Sequence, residues 1–193
     1  MKKVLLAAAI LAGVVLSVGS AGFAADYTVS ATMPTSTGFV MYQVLNGTWS
    51  ATSTTALTFG KLKEVSVGDN NYIFLPDATT DLYYVILPTG GGLDATKSVQ
   101  VSFSDTGTIS GLGKKTTVSY VKVVGSVETE IKKARLQETS SVAVSSLSGA
   151  ALRMYVGIYN GVPGSNWSGT AAEAFSGGDA AGNYGGTLTI SVQ

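Results

Sequence analysis

The stretch Gly111-Leu112-Gly113-Lys114-Lys115-Thr116 has the parts of a phosphate cradle, a glycine-rich turn that exposes backbone donors and lysines that could reach phosphate oxygens. Its spacing fails. The motif needs Gly, four residues and then Gly-Lys-Ser/Thr, whereas Lys115 separates Lys114 from Thr116 and Thr108 stands where the first glycine belongs. A hairpin turn with exposed lysines is the expectation there. Hydrolysis by paired carboxylates needs two acids converging in a cleft, one with a raised pKa. The acids of this chain are scattered, and most sit beside Gly, Asn, Thr or Pro, where an aspartate serves a turn. Glu128 and Glu130 share one strand face, which suits protection of a sheet edge better than catalysis. With 0 His and 0 Cys, the nucleophile arrangements that depend on them, the usual zinc, copper, haem and iron–sulfur ligand sets, and disulfides are all excluded. No loop of alternating acids suited to calcium is present. No cofactor is expected, and no enzymatic activity.

Aromatic side chains offer another chemistry, stacking on sugar rings. Trp49 and Trp167 stand in turn-rich surroundings and are candidate glycan contacts, while Tyr72, Tyr84 and Tyr120 occupy strand positions and are expected in the core or on a sheet face. The 12 basic residues balance 12 acidic ones, with no basic run, so neither nucleic acid nor an anionic membrane surface is expected as a partner.

The elements that must position these residues are strands. Runs rich in Val, Thr, Tyr and Ile alternate with period two and are separated by Gly, Asn, Asp, Ser and Pro. Val99, Val101 and Phe103 form one apolar face, Leu152, Met154, Val156 and Ile158 another, and Leu188, Ile190 and Val192 a third. The runs 38–45, 81–87 and 116–124 are apolar on both faces and suit central strands. Asn46-Gly47, Gly68-Asp69-Asn70-Asn71 and Asp105-Thr106-Gly107 mark turns. Residues 129–137 (TEIKKARLQ) could make two helical turns, but their apolar positions do not hold a 3.6 period, so an extended edge fits equally well. Residues 164–182 read as a long surface loop anchored by Trp167 and Phe175. The expected fold class is all-β, a single sandwich domain over residues 25–193.

The two ends carry the strongest functional hint. Lys2 and Lys3 precede an apolar run from Val4 to Val18 and then small residues up to Ala24, the three parts of a secretory signal peptide over residues 1–24. About 15 apolar residues fall short of the roughly 20 a spanning helix needs, and no second span follows, so no membrane span is expected in the mature chain. Just after the expected cleavage site, Tyr27, Val29, Ala31 and Met33 alternate with Thr28, Ser30 and Thr32 until Pro34 stops the run. A terminal strand free to leave its own domain can add to the open edge of a neighbour.

At these residues the sequence resembles a known group. The segments ADYTVSATMP, KSVQVSFSDTG, TTVSYVKV and DAAGNYGGTLTISVQ are similar to the cysteine-free major pilins of the alternate chaperone–usher class, the colonization-factor type. More loosely, ALTFGKL at 56–62 and the same ending resemble spore coat U-like secreted proteins. The resemblance implies an immunoglobulin-like sandwich left incomplete and finished by the N-terminal strand of the next subunit. It implies Tyr27, Val29, Ala31 and Met33 as donor-strand residues over 26–33, and Leu188, Ile190 and Val192 as the lining of the acceptor groove. The function so implied is a structural subunit of an extracellular filament, fimbria or surface coat. Its partners would be further copies in a homo-polymer, a periplasmic chaperone and usher in transit, and a glycan or host surface. The alternative is a monomeric secreted adhesin whose own N-terminal strand completes the sheet, with Trp49 or Trp167 contacting glycan.

Overall fold

The computed structural model describes residues 31, 38–52, 56–68, 71–77 and 82–193. The chain divides into two compact units, Met1–Thr32 and Met33–Gln193, and apart from Ala31 the described residues belong to the second. The expected export signal and the expected donor residues Tyr27, Val29 and Met33 lie outside the described residues, and Ala31 is exposed in no regular element.

Eleven strands carry the described chain. β1 (Gly38–Leu45) and β2 (Thr48–Ala51) form a hairpin whose two turn residues, Asn46 and Gly47, take φ of 52° and 72°. That left-handed pair matches the right-handed twist of the strands it joins, which is why Asn-Gly marks such turns. β3 (Leu62–Ser66) and β4 (Tyr72–Pro76) make a separate two-stranded ribbon around the expected turn at 68–71. β5 (Tyr83–Thr89) and β6 (Ser98–Asp105) follow, then a single helical turn α1 (Leu112–Lys115) that runs directly into β7 (Thr116–Val124). β8 (Val127–Arg135) and β9 (Ser140–Ala143) lead through a 3-10 turn to β10 (Ala151–Ile158), and β11 (Gly186–Val192) comes last.

The order β2-β1-β5-β10-β7-β8 builds a six-stranded sheet and β11-β6-β9 a three-stranded one, with every pair antiparallel. The fold is all-β. The three apolar-on-both-faces runs became β1, β5 and β7, each with a strand on either side. Ile86, Val118, Met154 and Val156 of the large sheet share one buried core with Val99, Val101 and Val142 of the small one. Burial of each such side chain contributes roughly 1.5–3 kcal/mol. Tyr120 on β7, fully buried, reaches the other sheet through its hydroxyl, 3.0 Å from the Ser140 carbonyl oxygen and 2.7 Å from Ser140 Oγ. Burial pushes its phenol up to about 12, against the hydrogen bond from Ser140.

Residues 129–135 are extended, as the broken helical period allowed, and form an edge strand. The pairing of β8 slips between Tyr120 and Val121, so that Ile131 has no partner across the ladder. One extra residue switches which parity faces the core. Glu128 and Glu130 therefore share the outer face with Lys133, while Ala134 is buried in the core. Among the described residues no helix is long and apolar enough to cross a membrane.

Candidate functional site

A cleft of about 1380 Å³ opens among the described residues, walled by strands of both sheets. Phe39 and Met41 of β1, Ile86 of β5, Phe103 of β6 and Leu188 and Ile190 of β11 give it an apolar lining. Alternation sets that lining. In β11, Leu188 and Ile190 turn toward the core while Thr187 and Thr189 turn away, and the strand pairs with β6 from Gly186↔Asp105 to Val192↔Val99. Among the described strands β6 is its one neighbour, and within that set β11 stands at the edge of its sheet, alongside the cleft. Of the three residues expected to line a groove, Leu188 and Ile190 do line this one, while Val192 is exposed beyond it.

Two straps form the rims. One is residues 56–62, tied down by Tyr84: Thr58 N–H donates to the phenol oxygen at 2.7 Å, and the phenol donates back to the Thr58 carbonyl at 2.9 Å. Phe59 meets the same ring edge-on with centroids 5.5 Å apart. The other strap is residues 175–187. Phe175 is buried as expected, its carbonyl accepting from Phe74 N–H at 2.9 Å and its ring meeting Tyr184 edge-on at 5.0 Å. Where the second strap joins β11, Gly186 packs so closely on the Phe103 ring that no Cβ would fit, and Gly107 is equally tight against the Gly185 backbone.

Lys115 holds this second strap, and here the sequence reading needs correction. The turn at 111–116 exposes Lys114 but buries Lys115. The reason is position: Lys115 is the last residue of α1, and β7 carries it directly into the core. Its Nζ lies 3.0 Å from Asp179 Oδ1 and 3.5 Å from Glu173 Oε2, donates to the Ala174 carbonyl at 3.1 Å, and stands 5.8 Å from the centre of the Phe175 ring. Burial works against ionisation of Asp179, but the Ser176 backbone N–H and the lysine outweigh it and hold the carboxyl below its usual range. Nothing in the local sequence pairs Lys115 with an acid 64 residues on. The one available signal was that residues 164–182, mostly Gly, Ala and Ser, carry two acids.

The candidate glycan contacts lie elsewhere. Trp49, exposed on β2, carries the Arg153 guanidinium 5.1 Å above its ring and Tyr42 beside it at 5.6 Å. Arg153 is paired with Glu128, which also accepts from the Tyr155 hydroxyl at 2.8 Å. Burial first, and then the Glu128 carboxylate, push the Tyr155 phenol up to about 12. Glu128 is thus engaged across the sheet and is not a bare edge charge. Trp167 is half-buried, packed edge-on against Tyr159 at 5.8 Å and under Lys133 Nζ at 5.2 Å. The two tryptophans share none of these neighbours. Tyr84 and Tyr120 are core residues, whereas Tyr72 is exposed because the β3–β4 ribbon offers that face no second layer. Among the described residues no three acids are grouped so as to hold a metal ion. What the cleft offers is an apolar lining alongside β11, with Leu188 and Ile190 in its wall. The chain matches no family model, and no curated protein or solved structure is significantly similar to it.

Proposed function

We propose that this chain is an exported structural subunit that polymerises by strand donation, copy to copy, into an extracellular filament or surface coat. On this reading residues 1–24 are removed on export, the remainder folds as an immunoglobulin-like sandwich, and a periplasmic chaperone and usher handle it in transit. The observation that carries the reading is the pairing of an edge strand with an apolar cleft: β11 has one ladder neighbour among the described strands, and its inward side chains Leu188 and Ile190 line the cleft. A strand laid against that edge from a second copy would satisfy the outer backbone groups of β11 and bury apolar side chains in one step. Residues 26–33 fit the task by length and pattern, eight residues against the seven of β11, with Tyr27, Val29, Ala31 and Met33 on one face. Four such side chains contribute on the order of 5–10 kcal/mol before ordering costs.

The test is assembly. The secreted protein should run as a ladder on denaturing gels without boiling and show filaments by negative-stain microscopy. Deletion of residues 25–33, or Ile190→Lys in the cleft wall, should leave a folded monomer and remove both. If the intact protein is a monomer at every concentration and the deletion merely unfolds it, the segment completes its own domain and the polymer reading is wrong.

A further inference from the structure

The face of the six-stranded sheet turned away from the core carries a hollow of about 220 Å³ over Gly157, and its geometry points to a binding site for a saccharide unit that bears a carboxylate. The hollow exists because of one residue. On β10 Gly157 sits between Tyr83 of β5 and Thr117 of β7, in a row where every other strand presents a side chain, and a Cβ there would come within 3.3 Å of Tyr83 Cβ. At roughly 30 Å³ per water, the space is that of about seven waters, the scale of one sugar ring.

The walls suit such a ring. Tyr83 and Tyr155 lie with centroids 5.7 Å apart and planes inclined by 44°, forming one side. Tyr159 forms another, held by Trp167 against its edge and by a hydroxyl that donates to the Val162 carbonyl at 3.0 Å. Rigid aromatic faces of this kind stack on the C–H faces of a sugar without ordering cost at the moment of binding. The polar lining suits its hydroxyls. The Ser119 hydroxyl has no hydrogen-bond partner among the described residues, and Asn160 uses its Oδ1 on Val162 N–H, leaving its amide nitrogen to donate.

The charge comes from Lys133. Lys63, Lys115, Arg135 and Arg153 each face a carboxylate of the chain. Lys133, half-buried on the rim, has the Trp167 ring 5.2 Å away and no ion pair among the described residues. A cation held by an aromatic ring beside a pocket, without an internal counter-charge, selects a ligand that brings one. A small inorganic anion would satisfy the lysine but leave the tyrosine walls unused. The hollow is on the opposite face of the sheet from the cleft, so its occupancy does not depend on how β11 is used.

The experiment is a titration of the full secreted chain, followed by amide shifts, with glucuronic acid, with glucose as the neutral control, and with acetate and inorganic phosphate as anions lacking a ring. Glucuronic acid should shift Gly157, Thr117 and Ser119 at lower concentration than glucose does. Lys133→Gln, which keeps the aliphatic stem over Trp167, should weaken glucuronic acid about tenfold and leave glucose unchanged. Ser119→Val, a β-compatible change that fills the floor, should abolish both responses with the rest of the spectrum intact. The inference is overturned if neither sugar shifts these residues, if Lys133→Gln leaves the glucuronic acid response unchanged, or if acetate and phosphate reproduce it.

Discussion

Replacing Lys115 with Met removes one charge while keeping an unbranched chain of similar length, so the change isolates what that charge does for the strap along the cleft. Its partners differ in exposure. The side chains of Lys115 and Asp179 are 11% and 23% exposed, whereas Glu173 is 58% exposed and its share is largely screened by solvent. What remains is one partly buried ion pair and a charged hydrogen bond to the Ala174 carbonyl. Hydrogen bonds to charged groups are worth about 1.5–3 kcal/mol, and a lone charge left behind adds to the loss when burial is deep. Asp179 keeps its bond from Ser176 N–H at 2.7 Å, which limits that second part. Lys115→Met should therefore cost about 2–3 kcal/mol in urea unfolding. In a cycle with Asp179→Asn the coupling should be about 1–2 kcal/mol. Hydrogen exchange should quicken at Glu173, whose N–H is bonded to the Lys114 carbonyl, before it does in β7. The pH dependence has a definite sign. The Asp179 carboxyl is held below its ordinary 3.8 in the folded chain, so its contribution is full above that value and is lost as pH falls below it. The coupling should be flat near neutrality and fade in acid. A coupling below about 0.5 kcal/mol at neutral pH would refute the pinning role of Lys115.

Two further outcomes follow from close approaches in the fold. Gly107→Ala would drive a methyl group into the Gly185 backbone and to 3.0 Å from the Tyr184 carbonyl carbon, where nothing flexible can move aside. It should cost roughly 1–3 kcal/mol in thermal unfolding. Tyr120→Phe removes the hydroxyl that links β7 to Ser140 and should cost about 1 kcal/mol. Because the Tyr120 phenol is raised from 10.0 to about 12, the wild type should lose stability as pH climbs from the first value through the second, and the Phe variant should lose less over that range.

The strands were readable because their information is local. The apolar, β-branched run over 116–124 is a property of nine adjacent residues, and it yields β7 with both its ends. Asn46-Gly47 forces a two-residue turn by its own backbone preferences, so the β1–β2 hairpin follows without knowledge of anything it packs against. Residues 129–137 were ambiguous for an equally physical reason. A bulge at Ile131 shifts the apolar parity in mid-strand, and a broken period of two is hard to tell from a poor period of 3.6.

The cleft was half legible, and the division follows from what each half depends on. That Leu188 and Ile190 turn inward is set by β11 itself; that β11 stands at the edge of the described sheet is a matter of strand order, which no single strand encodes. The hollow over Gly157 depends on three strands aligning so that one missing side chain is ringed by tyrosines, and a glycine in a strand announces a close approach without saying of what. Lys115 shows the same limit in its sharpest form. A lysine after a glycine turn is exposed unless a distant acid comes to meet it, and here the acid comes from a loop whose composition gives no reason for it to fold back. With no cysteine to close the loop covalently, the ion pair works beside the buried Phe175 and the backbone bonds to Asn183 and Gly185 to keep this Gly- and Ser-rich strap in place next to β11.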